Sequence, residues 1–593
     1  MRTETYPVSI SVRHLSEKDP RRPEWDTLQQ IGNDAISSVM SGLKKYTSGC
    51  LALTDQQETI IKPELQQMEG AFLTNLMLSN VLAIKTYQHQ GRPNSKRVSA
   101  DNESMKKRLD EIRGLSHKTS LLWMGGQILV SKQGGGLKKV AMAENGELGG
   151  DIVHDLATSA ATGRLGFGNP YPLIMRTVDN LMQTNGHKMF HYHAAEVQGY
   201  AMSELAKLHP NTQQVGNKEI RVHTRHSGSE INTTAIEIVC AHAAKKQHTY
   251  DSPKAAQLLK QNNLEIRENE DPERKKKRVN MLKQSELKGF ITVPKVFAVD
   301  KTWAGGYSGA AVEGSGFKVD EHSNLHTGGE AWVKRVLPTF TAKNREKILT
   351  ILSKAITAGE CAGLIVEPDV NVDGGMHPVD QTLLAEVRKL LEPQELPIIA
   401  DCMQTTGSVG GSYFGEGPTK TLADYPHLII TNAKAAAIDP YAFALIPAHI
   451  DDSTTEMSHL STPTNEGPHL QALVIAHMVQ DPRFQAKVQH DSQKMEEIAQ
   501  EYGMTDRLRG KGMNRAWVVE DADRAQNYLY LHYGILLGKA SGVLRDQRSL
   551  TEFSETHELL TRIICEGLQK LEKGEISPEE EKILKKMNSG GGL

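Results

Sequence analysis

Apolar positions recur along this chain in two rhythms, and the change of rhythm divides it. Residues 1–112 read as a self-contained helical extension that closes on the charged run SADNESMKKRLDEIRG. Its most apolar stretch, GAFLTNLMLSNVLAIKTY (70–87), is interrupted by Thr74, Asn75, Ser79 and Asn80 and is short for a membrane span, so it predicts a buried helix. From about 118, LLWMGGQILVSKQGGGLKKVAMAENGE predicts short strands joined by glycine-rich turns. Between about 190 and 450, apolar strands alternate with helical patterns. In HAAEVQGYAMSELAKLHP, Val197, Ala201, Leu205 and Leu208 share one helix face and Pro210 stops it. EIRVHTRHS, CAGLIVEP, LPIIADC and HLIIT read as strands, EINTTAIEIVCAHAAKK and QTLLAEVRKLL as helices. Strands separated by helices imply a mainly parallel sheet covered on both faces. Residues 456–575 read as mostly helical, and NSGGGL as a flexible tail.

The bulk numbers narrow the classes. At 593 residues, two to four structural units are expected. The net charge of −3 gives no global field for nucleic acid or membrane. The segment 245–290 is a charged, helix-prone excursion. Its RKKKR (274–278) resembles a nuclear address or RNA patch, but acidic flanks make a solvated helix face the simpler reading. The N-terminus lacks the apolar core of a signal peptide. Five scattered cysteines without a CxxC pair fit neither a disulfide framework nor a cysteine zinc site, and a reducing cytoplasm is expected. His191/His193 and His223/His226 have ligand-like spacing, but such pairs arise easily among 23 histidines, and no metal is expected.

The chemistry gathers at strand ends. Asp401 closes LPIIAD, at the carboxyl end of a buried strand, where ligands bind in open α/β sheets. Lys434 ends the next strand, 33 positions on (434 − 401). The two charges could pair, or grip two ends of one cofactor. In VHTRHSGSEINTTAIEI a small-residue turn opens a helix whose N–H groups and dipole suit an anion. The same residues also read as an ordinary cap, with Ser227 or Ser229 capping and Glu230 or Asn232 in the first turn. Together the three features ask for a phosphate, a basic ring nitrogen and an aldehyde, which pyridoxal phosphate carries.

At these residues, over roughly 145–560, the chain resembles the class III aminotransferases, the fold-type-I pyridoxal phosphate group. GRLGFGNPYPLIMRTVDNLM resembles the family's entry segment, HSGSEINTTAIEI its phosphate turn and LIVEPDVNVDGGMHP its VEP segment. IIADCMQTTGSVGG resembles the ring-aspartate segment, and ITNAKAAA the lysine segment. The resemblance implies that Lys434 is the Schiff-base lysine and Asp401 the partner of the pyridine nitrogen. Gln404 would reach the phenolic oxygen, Gly228 and Ser229 would bind phosphate through backbone N–H groups, and Trp303 would stack on the ring. A phosphate-contacting threonine from a neighbouring subunit would be Thr464 or Thr462. An arginine for the substrate carboxylate would be Arg545, with Arg548 competing, and Asp373 falls near a glutamate that pairs with that arginine.

The implied fold is α/β. A mainly parallel seven-stranded sheet sits in a large domain (190–455), and a smaller α+β domain combines 113–189 with 456–580; the N-terminal extension and a tail at 581–593 complete it. The implied function is ping-pong exchange between an amino acid or amine and a 2-oxo acid, in a homodimer with its active site at the interface. Departures leave alternatives. Cys402 follows the ring aspartate where an acid is usual, Ala304 and Gly306 replace a histidine and an arginine, and Ala435–Ala437 replace glycines. SGSEINTTAI also resembles the turn of group II decarboxylases, although Ala433 stands where their histidine precedes the lysine. A non-catalytic binding or assembly protein on this fold is the third reading.

Overall fold

A computed structural model describes residues 15–48, 53–91, 128–132, 137–144, 147–156, 165, 169–182, 196–212, 219–247, 260, 271–274, 276–277, 294–299, 333–372, 374–436, 439–451, 466–540, 542–578, 581 and 584–585. Two helices lead, Arg22–Tyr46 and Asp55–Gln88. Thr54 and Gln57 form a reciprocal capping box at the start of the second, and Phe72, Leu73, Leu76 and Ala83 in its apolar run are buried. The extension is not self-contained as its sequence suggests. Helix Asp55–Gln88 packs against helices Pro170–Met182 and Ser554–Glu572. Two helices bury too little apolar surface alone, so their inward faces join the main core. Glu24 fastens the join: its carboxylate accepts from Ser554 N at 3.1 Å and pairs with Lys487 Nζ at 2.8 Å. Helix Ser554–Glu572 has no side-chain cap from its own N-cap residue, Phe553, so the extension supplies an acceptor from a distant part of the chain.

Strands β1 (Ile128–Lys132), β2 (Leu137–Glu144) and β3 (Glu147–Asp155) form an antiparallel ladder. The next strands are β4 (Ile220–Arg225), β5 (Lys295–Val299), β6 (Val333–Leu337) and β7 (Cys361–Val366). A two-residue pair follows, β8 (Val370–Asn371) with β9 (His377–Pro378), and then β10 (Ile398–Asp401), β11 (Leu428–Ala433) and β12 (Ala442–Pro447). Seven of them make the central sheet in the order β4-β12-β11-β10-β7-β5-β6. All run parallel except β12, which is antiparallel to both neighbours. β7, β10 and β11 are buried at every residue, as continuous apolar runs in a covered parallel sheet should be. Helix Gly228–Gln247 covers one face through Ile231, Ala235, Ile236 and Val239. Helices Arg345–Thr357 and Gln381–Leu391 join the core of the other through Ile348, Leu352, Leu383 and Val387.

The C-terminal part departs from its mostly helical reading. Between helices Pro482–Glu501 and Ser554–Glu572 lie β13 (Leu508–Lys511), β14 (Asn514–Val518), β15 (Ile535–Leu536), β16 (Gly538–Ala540) and β17 (Val543–Gln547). They form a four-stranded sheet in the order β13-β14-β17-β16, while β15 extends the N-terminal ladder beside β3. The strand pattern is hidden because β14 and β17 bury charge: Arg515, Arg545 and Asp546 are all enclosed.

One buried histidine ties the turn after helix Glu196–Ala206 to the start of β11. His209 Nε2 lies 3.0 Å from Leu428 O, and Asn211 N donates to Nδ1 at 3.2 Å. These contacts require the neutral ring, and burial pushes its pKa down to about 4. The unfolded chain therefore takes up the proton first, and stability present above roughly pH 6.5 is lost as pH falls towards 4. Between pH 8 and pH 5 this residue accounts for a loss of about 2 kcal/mol. Melting temperature followed over that range should fall more gently in His209→Gln than in the parent; equal slopes would contradict the assignment.

Candidate active site

The register of β10 on β11 aligns Ile398–Asp401 with Leu428–Thr431, so both strands deliver their next residues to one edge of the sheet. Asp401 is buried there. Its Oδ2 accepts from Asn232 Nδ2 at 2.9 Å and its Oδ1 from Met403 N at 3.1 Å. Burial pushes the carboxyl up; the Asn232 and Met403 donors and the positive charge of Lys434 pull the other way. Lys434 and Asp401 therefore feel one another across the strand ends, as their sequence positions suggest. Lys434 itself is half-buried and holds φ at +59°, a left-handed conformation that costs a lysine roughly 1–3 kcal/mol. Strain of this kind persists where surrounding contacts impose it. Here Ala435 N donates to Tyr441 O at 3.2 Å, closing the segment back onto β12.

The third element arrives from β4. Helix Gly228–Gln247 opens behind Ser227, whose N and Oγ donate to Glu230 Oε2 at 2.8 and 2.9 Å while Glu230 N donates to Ser227 Oγ at 3.3 Å. The ordinary cap is thus realised at Ser227 rather than Ser229. It satisfies Glu230 N, and Ser227 O takes Ile231 N, which leaves the N–H groups of Gly228 and Ser229 as the donors at the helix tip. Gly228 lies against the strand ends: a Cβ there would collide with Met403 Sδ and stand 3.3 Å from Ala433 Cβ. A side chain here would have to push the end of Met403 aside, and glycine spares that shift. Asn232, one turn into this helix, carries the bond to Asp401. Sequence reasoning placed it only as a capping candidate. Its signal was a buried amide spaced one turn from the cap, but the partner lies 169 positions away.

The remaining candidate residues divide. Gln404 is buried and accepts on Oε1 from Gln547 Nε2 at 3.3 Å, so it faces the C-terminal sheet. Arg545 sits on β17 two residues before Gln547, on the same face of the strand, buried and packed over Gly538. Arg548 is removed from competition. It forks onto Asp546 at 2.8 and 2.7 Å and donates to His557 O and Thr561 Oγ1, a closed structural network. Trp303, Asp373, Thr462 and Thr464 lie outside the described residues.

The arrangement fits a ligand carrying an anionic group, a protonated ring nitrogen and an electrophilic carbon. A buried carboxylate held up by desolvation gains most from an N–H cation, the paired helix N–H groups suit a phosphate, and an amine ends the neighbouring strand.

Comparisons with known proteins agree. The family model described as aminotransferase class-III matches residues 145–564, well over half of the chain. No curated protein matches the sequence. Among solved structures, the ornithine aminotransferase from Toxoplasma gondii ME49 is 16% identical with a TM-score of 0.54, covering 75% of this chain and 91% of that one. The N-acetylornithine aminotransferase from Stenotrophomonas maltophilia K279a is 16% identical with a TM-score of 0.52, covering 78% and 99%. At such identity these likenesses establish the fold, and the family match carries the rest.

Asn232→Leu removes a donor from a buried carboxylate and should cost about 1.5–3 kcal/mol at neutral pH. The cost should shrink as pH falls through the raised folded pKa of Asp401, because a protonated carboxyl needs that donor less. Denaturant unfolding at several pH values checks this; a loss that does not vary with pH would place the bond's worth elsewhere.

Proposed function

The chain belongs to the class-III aminotransferase family and is a pyridoxal-phosphate-dependent aminotransferase, and we propose the following division of labour among its residues. Lys434 Nζ would hold the aldehyde carbon of the cofactor and, as a free amine, would move the proton at the substrate's α-carbon. Asp401 keeps the ring nitrogen protonated. The N–H groups of Gly228 and Ser229 hold the phosphate, and Trp303 stacks on the ring. Arg545, with its planar fork, takes the substrate carboxylate, and Asp373 is its pairing carboxylate. Gln404 meets the phenolic oxygen. Thr464 completes the phosphate site from a second copy of the chain, so the working form is a homodimer with its site at the interface. Residence in the cytoplasm is supported by four cysteines that are buried as thiols among the described residues.

Pyridoxal phosphate, when bound, supplies the electron sink that makes an α-proton acidic. What the protein adds is differential. Asp401 sits in a buried setting where its charge acts strongly on a ring cation, and Asn232 and Met403 N aim it. Lys434 stands at the end of the neighbouring strand, within the electrostatic reach of that carboxylate. The single observation that carries the reading is this convergence of Asp401, Lys434 and the Gly228 helix tip on one sheet edge.

The test is a purified sample loaded with pyridoxal phosphate and offered a panel of donors, including ornithine, N-acetylornithine and 4-aminobutyrate, with 2-oxo acids as acceptors. Amino transfer should require both partners. Carbon dioxide release without an acceptor would point to decarboxylation instead. Lys434→Ala should lower turnover by about 10⁴ and abolish the visible band of the covalently bound cofactor, and Asp401→Ala should lower it by about 10³. Arg545→Leu should lower kcat/KM for α-amino acids by about a hundredfold, chiefly through KM.

A further inference from the structure

Three buried amides join the turn after β10 to the C-terminal sheet, and their orientation is forced. Asn514 Nδ2 donates to the backbone carbonyl of Gln404 at 3.0 Å. A carbonyl oxygen only accepts, so this contact fixes which end of the Asn514 amide is nitrogen. Its Oδ1 must then be the acceptor from Gln547 Nε2, at 2.8 Å. That in turn makes nitrogen the Gln547 atom facing Gln404, and its second hydrogen is directed to Gln404 Oε1 at 3.3 Å. The consequence reaches Gln404: its oxygen is committed to Gln547, and its nitrogen is on the opposite branch of the amide. Asn514 is 1% exposed, Gln547 2% and Gln404 8%, so water does not compete effectively for these atoms.

We propose that Asn514 and Gln547 are positioning residues that lock the Gln404 amide with its nitrogen, rather than its oxygen, directed to the phenolic oxygen of pyridoxal phosphate. This rests on the reading that Gln404 meets that oxygen. A phenolic oxygen carrying negative charge wants a donor, and an unlocked glutamine would offer either end. The lock also has a mechanical side. Gln547 shares a strand face with Arg545, so the residue that orients the cofactor's neighbour is rigidly spaced from the one assigned to the substrate carboxylate.

The experiment compares Gln404→Leu, Gln547→Met, Gln547→Glu and the double variant Gln404→Leu/Gln547→Met, all as full-length chains. Two quantities are read: the dissociation constant for pyridoxal phosphate, and the pH midpoint of the visible absorbance change of the loaded protein. Losing a donor to an oxyanion makes deprotonation harder, so the midpoint should move up in Gln404→Leu. Gln547→Met should move it in the same direction and weaken cofactor binding roughly tenfold. Gln547→Glu replaces a donor by acceptors facing Gln404 Oε1 and Asn514 Oδ1, so it should do more harm than Gln547→Met. The double variant should shift no further than Gln404→Leu alone. A shift in Gln404→Leu with none in Gln547→Met or Gln547→Glu overturns the lock while leaving Gln404 in its place. No shift in Gln404→Leu removes the reading of Gln404 itself, and the lock with it. Should Gln547→Met not fold, Gln547→Glu, which retains the shape of glutamine, decides between the same outcomes.

Discussion

Burying the Asp401 carboxylate is the costly act around which this fold is arranged. A charge at the end of an enclosed strand is unfavourable until donors and a cation are supplied, and each compensating group here comes from a different stretch of chain. Asn232 arrives on the helix after β4, Met403 N from the turn after β10 and Lys434 from the end of β11. Parallel strands in register bring the last two side by side, because the segment between them, which carries only the short helical turn Gly417–Thr421, returns the chain to the same starting edge. The helix that brings Asn232 must also come close, and Gly228 permits it by presenting no side chain to Met403 and Ala433. Placement of the carboxylate and placement of the phosphate-sized donor pair are thus one event.

Much of this was legible in the residues. LPIIADC and HLIIT read as buried strands because an apolar run bounded by turn residues has few other uses, and Asp401 and Lys434 stood out as charges ending such runs. The C-terminal sheet was not legible. Trp517 Nε1 donates to Asp546 Oδ2 at 3.1 Å and Arg548 forks onto the same carboxylate, so these polar residues lie inside only because they satisfy one another. Periodicity treats a buried ion pair as a solvent face, and the strands disappear from the pattern. Asn232 escaped for a related reason. A cap candidate is identified within one turn, whereas its real partner is a tertiary neighbour. The Gln404–Asn514–Gln547 triad is likewise a property of three distant segments, and none of its members differs in sequence from an ordinary surface amide.

The N-terminal helices are tied into the same problem from the far side. Gln57 Nε2 donates to Leu181 O at 2.7 Å, and Thr177 Oγ1 donates to Glu64 Oε1 at 2.9 Å, so helix Asp55–Gln88 holds helix Pro170–Met182 in place. A Cβ at Gly32 would collide with the Tyr171 ring, which shows how closely the first helix lies on this one. From helix Pro170–Met182, Arg176 pairs with Asp439, just beyond the lysine segment. Burial opposes ionisation of Asp439, but Arg176 and Gln471 outweigh it and hold the carboxyl below its usual range. An extension that is foreign to the family match therefore touches the site through two short steps.

That path bears on the alanines after the lysine. Ala435 and Ala436 replace the glycines that would give this segment backbone freedom, and both are buried. Alanine narrows the conformations open to the unfolded segment, so less entropy is lost on fixing it, provided the native angles suit a side chain. Lys434 takes the one left-handed angle in the described part of the segment, and the alanines that follow do not share it. Ala435 is anchored to Tyr441 O, and Asp439 to Arg176 and Gln471. The lysine is thus strained between a strand on one side and a braced turn on the other. A residue so held cannot relax into the cheaper right-handed region without breaking those ties, and its amine is kept within electrostatic reach of Asp401 by the framework rather than by its own preference.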